Sequence, residues 1–228
     1  MGVAERLARV TDYDAILFDN DGVLVEPPTD DNLLDAAESA FRAVGVENPD
    51  PTHVDEVVRG VTSDSLRDVC SVYDVDPAEF WHARDRHASE AQLAEFREGG
   101  RARYDDVAAI EDLAHDLGVV SSNQHRTVEF VLEFCEFEDL FDTYYGRGMG
   151  VEDLDRKKPD PYFLERALDD LGAESALFVG DSESDVVAAH RAGLDSAFVR
   201  RPHCADTSLS TEPDYEVDDL YDVAKIAN

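Results

Sequence analysis

Lysine is almost absent from this chain of 228 residues: Lys157, Lys158 and Lys225 are the complete set, and arginine supplies the other cations. Cysteine is sparse as well. Cys70, Cys135 and Cys204 stand far apart in no Cys-x-x-Cys or Cys/His pattern, which excludes a disulfide framework and a zinc site of ordinary spacing, so they read as reduced structural residues. Long apolar runs are missing too. Stretches such as Ala15 to Phe18 and Ala176 to Val179 fall far short of the roughly 20 residues that cross a bilayer. No cationic segment followed by an apolar one opens the sequence as a signal peptide would. These absences predict a cytoplasmic protein with no membrane partner.

Acidic residues are what the chain has in excess. Asp and Glu number 53 against 20 Lys and Arg, giving a formal net charge of −33, which excludes nucleic acid and anionic lipid as natural partners. The carboxylates run through the whole length, between regularly spaced apolar positions, so they belong to a folded surface and not to a disordered tail. Such a surface repels itself in dilute buffer, and at about 1 M salt the Debye length falls to about 3 Å. The composition resembles that of cytoplasmic proteins of extremely halophilic archaea and carries the expectation that folding needs molar salt.

Short apolar runs ending in polar residues read as buried strands at 14–19, 118–121, 176–181 and 196–199. Amphipathic patterns predict helices over 105–117, 125–136, 160–172 and 184–192. Strands alternating with helices predict an α/β fold, a Rossmann-like, doubly wound parallel sheet whose ligands collect at the strand carboxyl ends. Residues 28–99 break that rhythm, with helical patterns at 32–44, 52–59, 63–73 and 77–97, no strand, Pro27-Pro28 before them and Gly99-Gly100 after. The predicted organisation is therefore a core of residues 1–27 and 100–228 with an inserted all-helical domain at 28–99. The acidic end, 212–222, reads as a solvated edge or a last helix.

The chemistry-bearing residues fall at the predicted strand ends. Asp19-Asn20-Asp21-Gly22 follows the first strand, and Gly180-Asp181-Ser182-Glu183-Ser184-Asp185 follows a later one and opens a helix. Carboxylates converging from two strand ends make a hard-oxygen site suited to Mg²⁺, a reading favoured over the helix N-cap that Asp181 or Ser182 could also serve. Lys158, before a proline-marked helix start, offers a cation to balance them. Ser121, with Ser122 and Asn123, offers a hydroxyl and backbone N–H groups of the kind that hold phosphate, or a cap.

Together, in this order, these elements resemble the four motifs of the haloacid dehalogenase superfamily: Asp19-x-Asp21-Gly22-Val23, the strand-terminal Ser121, Lys158-Pro159, and Gly180-Asp181-Ser182-x-x-Asp185. The resemblance places a helical cap at 28–99 and implies a Mg²⁺-dependent phosphatase acting on a small phosphorylated metabolite. It implies that Asp19 is the nucleophile, Asp21 the general acid and base, and that Asp19, the Asp21 carbonyl, Asp181 and Asp185 hold the metal. Ser121, Ser122, Asn123 and Lys158 would hold phosphate.

Asp21 disfavours a dehalogenase, because a halide leaving group needs no proton. The absence of any lysine before Lys157 excludes a cap Schiff base. The segment from Arg59 to Leu66 resembles the cap loop of beta-phosphoglucomutases but lacks its internal arginine, so a phosphosugar mutase is the alternative, with Arg59 and Thr62 as candidate substrate contacts. A phospho-accepting signalling domain is the alternative from another class, disfavoured by the helical insertion. The substrate and the oligomeric state are not readable from the sequence.

Overall fold

The computed structural model describes residues 12–228; residues 1–11 of the predicted core span lie outside the described residues. Six parallel strands form one sheet in the order β3-β2-β1-β4-β5-β6, where β1 is Ala15–Phe18, β2 Asp116–Gln124, β3 Thr143–Arg147, β4 Ala176–Gly180, β5 Asp195–Val199 and β6 Tyr215–Val217. From β1 the chain first builds outward through β2 and β3, then returns to add β4, β5 and β6 on the other side. The direction of winding therefore reverses at β1, and the crevice at such a reversal is where open α/β sheets bind ligands.

β1 is apolar at every position because both of its faces are covered. Ile16 and Phe18 join Val128, Val131, Leu220 and Val223, from helices α5 (His125–Phe134) and α8 (Leu220–Ala227). Ala15 and Leu17 point the other way, into a cluster with Leu164 and Ala167 of α6 (Tyr162–Leu171) and Ala188 and Ala189 of α7 (Glu183–Arg191). Each such large side chain contributes roughly 1.5–3 kcal/mol by burial.

Between β1 and β2 lie four helices, α1 (Asp30–Ala43), α2 (Pro51–Val58), α3 (Ser63–Tyr73) and α4 (Pro77–Glu98). Asp50 and Asp76 cap α2 and α4 with a proline at the start of each helix, and Gly99 ends α4 in the left-handed region. These helices gather round their own apolar centre of Phe41, Leu66, Phe80 and Trp81. Leu154, from the segment after β3, joins that centre.

Three elements depart from the sequence expectations. The predicted helix 105–117 is a 3-10 turn over Asp105–Ala109, and the chain is already in β2 by Asp116, which pairs with Ala15. Val107 and Ile110 have helical spacing, but they serve as a short apolar plug in the sheet's core cluster. β3 and β6 are additional strands that the sequence reading did not locate. The acidic end resolves into β6 and α8.

Candidate active site

Two glycines let the acidic motifs close on one another. Gly22 has φ of +86°, and a Cβ there would lie 2.0 Å from Oδ2 of Asp181. At Gly180 a Cβ would lie 2.2 Å from the Cβ of Asp185. The backbone freedom of Gly22 turns the chain after β1, and the bare Cα of Gly180 lets the first turn of α7 fold back beneath β4. As a result, carboxylate oxygens of Asp19, Asp181 and Asp185 lie within 4.8 Å of one another.

Lys158 sits in the middle of this acidic group, its side chain 4% exposed, with Nζ 2.9 Å from Asp19 Oδ1 and 2.6 Å from Asp185 Oδ1. It also donates to the carbonyl of Val120 at 3.1 Å. Burial alone would lower the lysine, but Asp185 and Asp19 outweigh it and hold the ammonium above the usual lysine range. Burial pushes Asp19 well above the usual carboxylate range; Lys158 opposes that rise, and Asp185 and Asp181 add to it. Asp181 is raised by burial against a hydrogen bond from His203, whose Nε2 lies 2.6 Å from Asp181 Oδ2. Two buried carboxylates and a partly buried third against one ammonium leave an excess of negative charge, and a hard dication matches that donor set in sign and chemistry.

Asp21 stands slightly apart from this group. Its carboxylate accepts from Arg101 Nη2 at 2.6 Å, from Asn123 Nδ2 at 2.8 Å and from Asn20 Nδ2 at 3.0 Å. Asn123 also donates to Gln92 of α4 at 2.7 Å. Ser121 is buried, with its Oγ accepting from the backbone N–H of Asn123, whereas Ser122 and Asn123 line a cavity of about 220 Å³ between the sheet and the helical insertion.

The fold thus brings Asp19, Asp21, Ser121, Asn123, Lys158, Asp181 and Asp185 to one end of the sheet. Arg59 and Thr62 do not join them. Arg59 pairs with Asp30 and Asp55 in solvent, and Thr62 caps α3 in a reciprocal box with Ser65; neither lines the cavity. Sequence reasoning missed His203, Arg101 and Gln92. His203 follows Arg200-Arg201-Pro202 in a loop without a pattern, and Gln92 is one polar residue inside a long helix. Arg101 stood directly after the glycine pair at the predicted boundary, a position that was the only available signal.

The pattern described as haloacid dehalogenase-like hydrolase matches residues 16–199, and the chain belongs to that family. Among curated relatives, the pyrophosphatase PpaX of Bacillus cereus strain AH820 is 27% identical over 214 residues, covering 92% of this chain and 94% of that protein. Among solved structures, a predicted phosphoglycolate phosphatase from Haemophilus somnus 129PT superposes with a TM-score of 0.68 at 23% identity, covering 96% of this chain and 99% of its own. CbbY from Rhodobacter sphaeroides, in complex with phosphate, gives 0.68 at 22% identity, covering 92% and 96%. These structures share the fold.

Proposed function

We propose that the chain is a Mg²⁺-dependent phosphatase that passes a phosphoryl group from a small organic phosphate to Asp19 and then to water. The observation that carries this reading is the cluster of Asp19, Asp181 and Asp185, with Lys158 paired to Asp19 and Asp185, at the winding reversal of the sheet. Pyrophosphatase PpaX among the curated relatives, and the CbbY variant solved with xylulose 1,5-bisphosphate, support a small phosphorylated substrate. Residues 28–99 act as the cap over the site.

Asp19 attacks phosphorus in line, and the resulting aspartyl phosphate splits one difficult hydrolysis into two displacements. Lys158 opposes the burial that favours the neutral form of Asp19 and, with Ser121 and the N–H groups near Asn123, holds phosphoryl oxygens. Asp21, oriented by Arg101 and Asn123, protonates the leaving oxygen and then takes a proton from the attacking water. Asp19, the Asp21 carbonyl, Asp181 and Asp185 would hold Mg²⁺, whose part is to neutralise charge on the transferring group.

Phosphate release from p-nitrophenyl phosphate with Mg²⁺ at molar KCl tests the reading. Wild type is expected to turn over. Asp19→Asn, with its circular dichroism unchanged, is expected to lose activity by at least a thousandfold; an Asp19→Asn protein as active as wild type would overturn the mechanism.

A further inference from the structure

The cavity beside Asp21 carries a concentration of positive charge that the phosphoryl-transfer steps do not use. Arg84 of α4, Arg147 at the end of β3, and Lys157 all line it, and Trp81 forms part of its wall. Both guanidinium groups lie over the Trp81 ring, at 4.9 and 5.0 Å from its centroid. Asp85 is their buried counter-charge: it takes Arg147 through both oxygens, at 2.5 and 2.7 Å, and Arg84 at 3.3 Å. Asp21, the acidic residue on the cavity wall, is itself paired with Arg101. Asp85 and, near Lys157, Asp155 are the carboxylates that act on these three cations, which still leaves net positive charge in a molecule whose overall charge is −33.

Such an arrangement is costly without an anion. Burial, followed by the repulsion of Arg147 and Arg84, lowers the Lys157 ammonium to about 8. Burial likewise brings Arg84 down to about 10. Two donors on the cavity-lining residues are also unmatched. Nε of Arg147, a residue 3% exposed, and Nε1 of Trp81, 1% exposed, are buried without a hydrogen-bond partner among the described residues. A structural ion pair accounts for Arg147 and Asp85. Asp85 also pairs with Arg84, whose Nε donates to the Val57 carbonyl at 3.1 Å, and Lys157 donates to the Val61 carbonyl at 2.8 Å, but these contacts leave surplus positive charge and two idle N–H donors round one cavity.

We infer that Arg84, Arg147 and Lys157 form a subsite for a second anionic group on the substrate, a carboxylate or phosphate on the leaving-group side of Asp21. This rests on the phosphatase reading above. It narrows the substrate class to small phosphate compounds bearing another negative charge, and it makes the three cations specificity-determining residues contributed by both the helical insertion and the core.

Two measurements test it. The first compares kcat/KM at molar KCl for phosphoglycolate against 2-hydroxyethyl phosphate, which is similar in size with a neutral tail, and for propane-1,3-diol bisphosphate against propyl phosphate. The anionic member of at least one pair is expected to be preferred by about tenfold or more, the scale of one charge-assisted hydrogen bond; which pair shows it separates carboxylate from phosphate. Lys157→Met is expected to shrink that preference towards unity. The second uses Trp81, the single tryptophan of the chain, as a reporter in the Asp19→Asn protein. Its fluorescence is expected to titrate with the preferred anionic compound and not with the neutral one of that pair. Hydrolysis of all four compounds with no preference, together with a silent Trp81, would overturn the subsite and leave the phosphatase standing. A titrating Trp81 in a protein that hydrolyses none of them would do the reverse.

Discussion

Replacing Asp85 by asparagine isolates the electrostatics on which the helical insertion and the core jointly depend. The carboxylate is fully buried and meets Arg147 of the core through both oxygens, Arg84 of its own helix, and Gln124 Nε2 at 2.9 Å. Asparagine keeps the shape but offers one acceptor, and its amide N–H₂ would face a guanidinium that can only donate. Two buried arginines would then lack a counter-charge. Removing one partner of a buried pair costs about 3–5 kcal/mol, which for a domain of this size is a fall in Tm of roughly 6–20 °C. The assay is denaturant and thermal unfolding of wild type and Asp85→Asn at the same KCl concentration, by far-ultraviolet circular dichroism. A loss below about 1 kcal/mol, the value of an exposed pair, would refute the argument that Asp85 is the essential counter-charge.

Three further outcomes are expected. Gly22→Ala places a Cβ against Asp181 in a left-handed backbone; a cost of about 1–2 kcal/mol in stability should accompany loss of most phosphatase activity, checked by unfolding and phosphate release. Lys157 titrates near 8 when folded and near 10.5 when unfolded, so both states are protonated below pH 8 and the burial penalty is then fully present. As pH rises from 8 to 10.5 the unfolded state holds the extra proton and the penalty fades; Lys157→Met should therefore lose up to about 3 kcal/mol of its stability relative to wild type across that window, read from paired unfolding curves. The surface charge of −33 should make Tm climb steeply between 0.1 and about 1 M KCl, where the Debye length contracts from about 10 to about 3 Å; a flat profile would show that self-repulsion is unimportant.

The central strands β1 and β4 were legible because each is apolar and buried on both faces, and because an aspartate follows each directly. The four inserted helices were legible through capping aspartates, prolines and Gly99. β3 escaped because Thr143-Tyr144-Tyr145-Gly146-Arg147 contains no aliphatic residue, and β6 because three residues carry no period. The carboxylates and Lys158 could be named in advance since each adjoins a strand end or a proline-marked helix start. Arg84, Arg147 and Trp81 could not, since each looks ordinary in its own segment and they meet only when α4 is laid over the end of β3. His203 reaches Asp181 across 22 positions for the same reason.

The stretch between β3 and α6 ties the two halves of the molecule in a way its covalent connections do not. Leu154 is rooted among the helices of the insertion, Asp155 accepts from the hydroxyl of Ser63, and Lys157 donates to the carbonyl of Val61. The next residue is Lys158. The helical half is therefore anchored to the core one peptide away from the ammonium that pairs with Asp19, so the packing of Leu154 and the position of Lys158 are set by the same short stretch of chain.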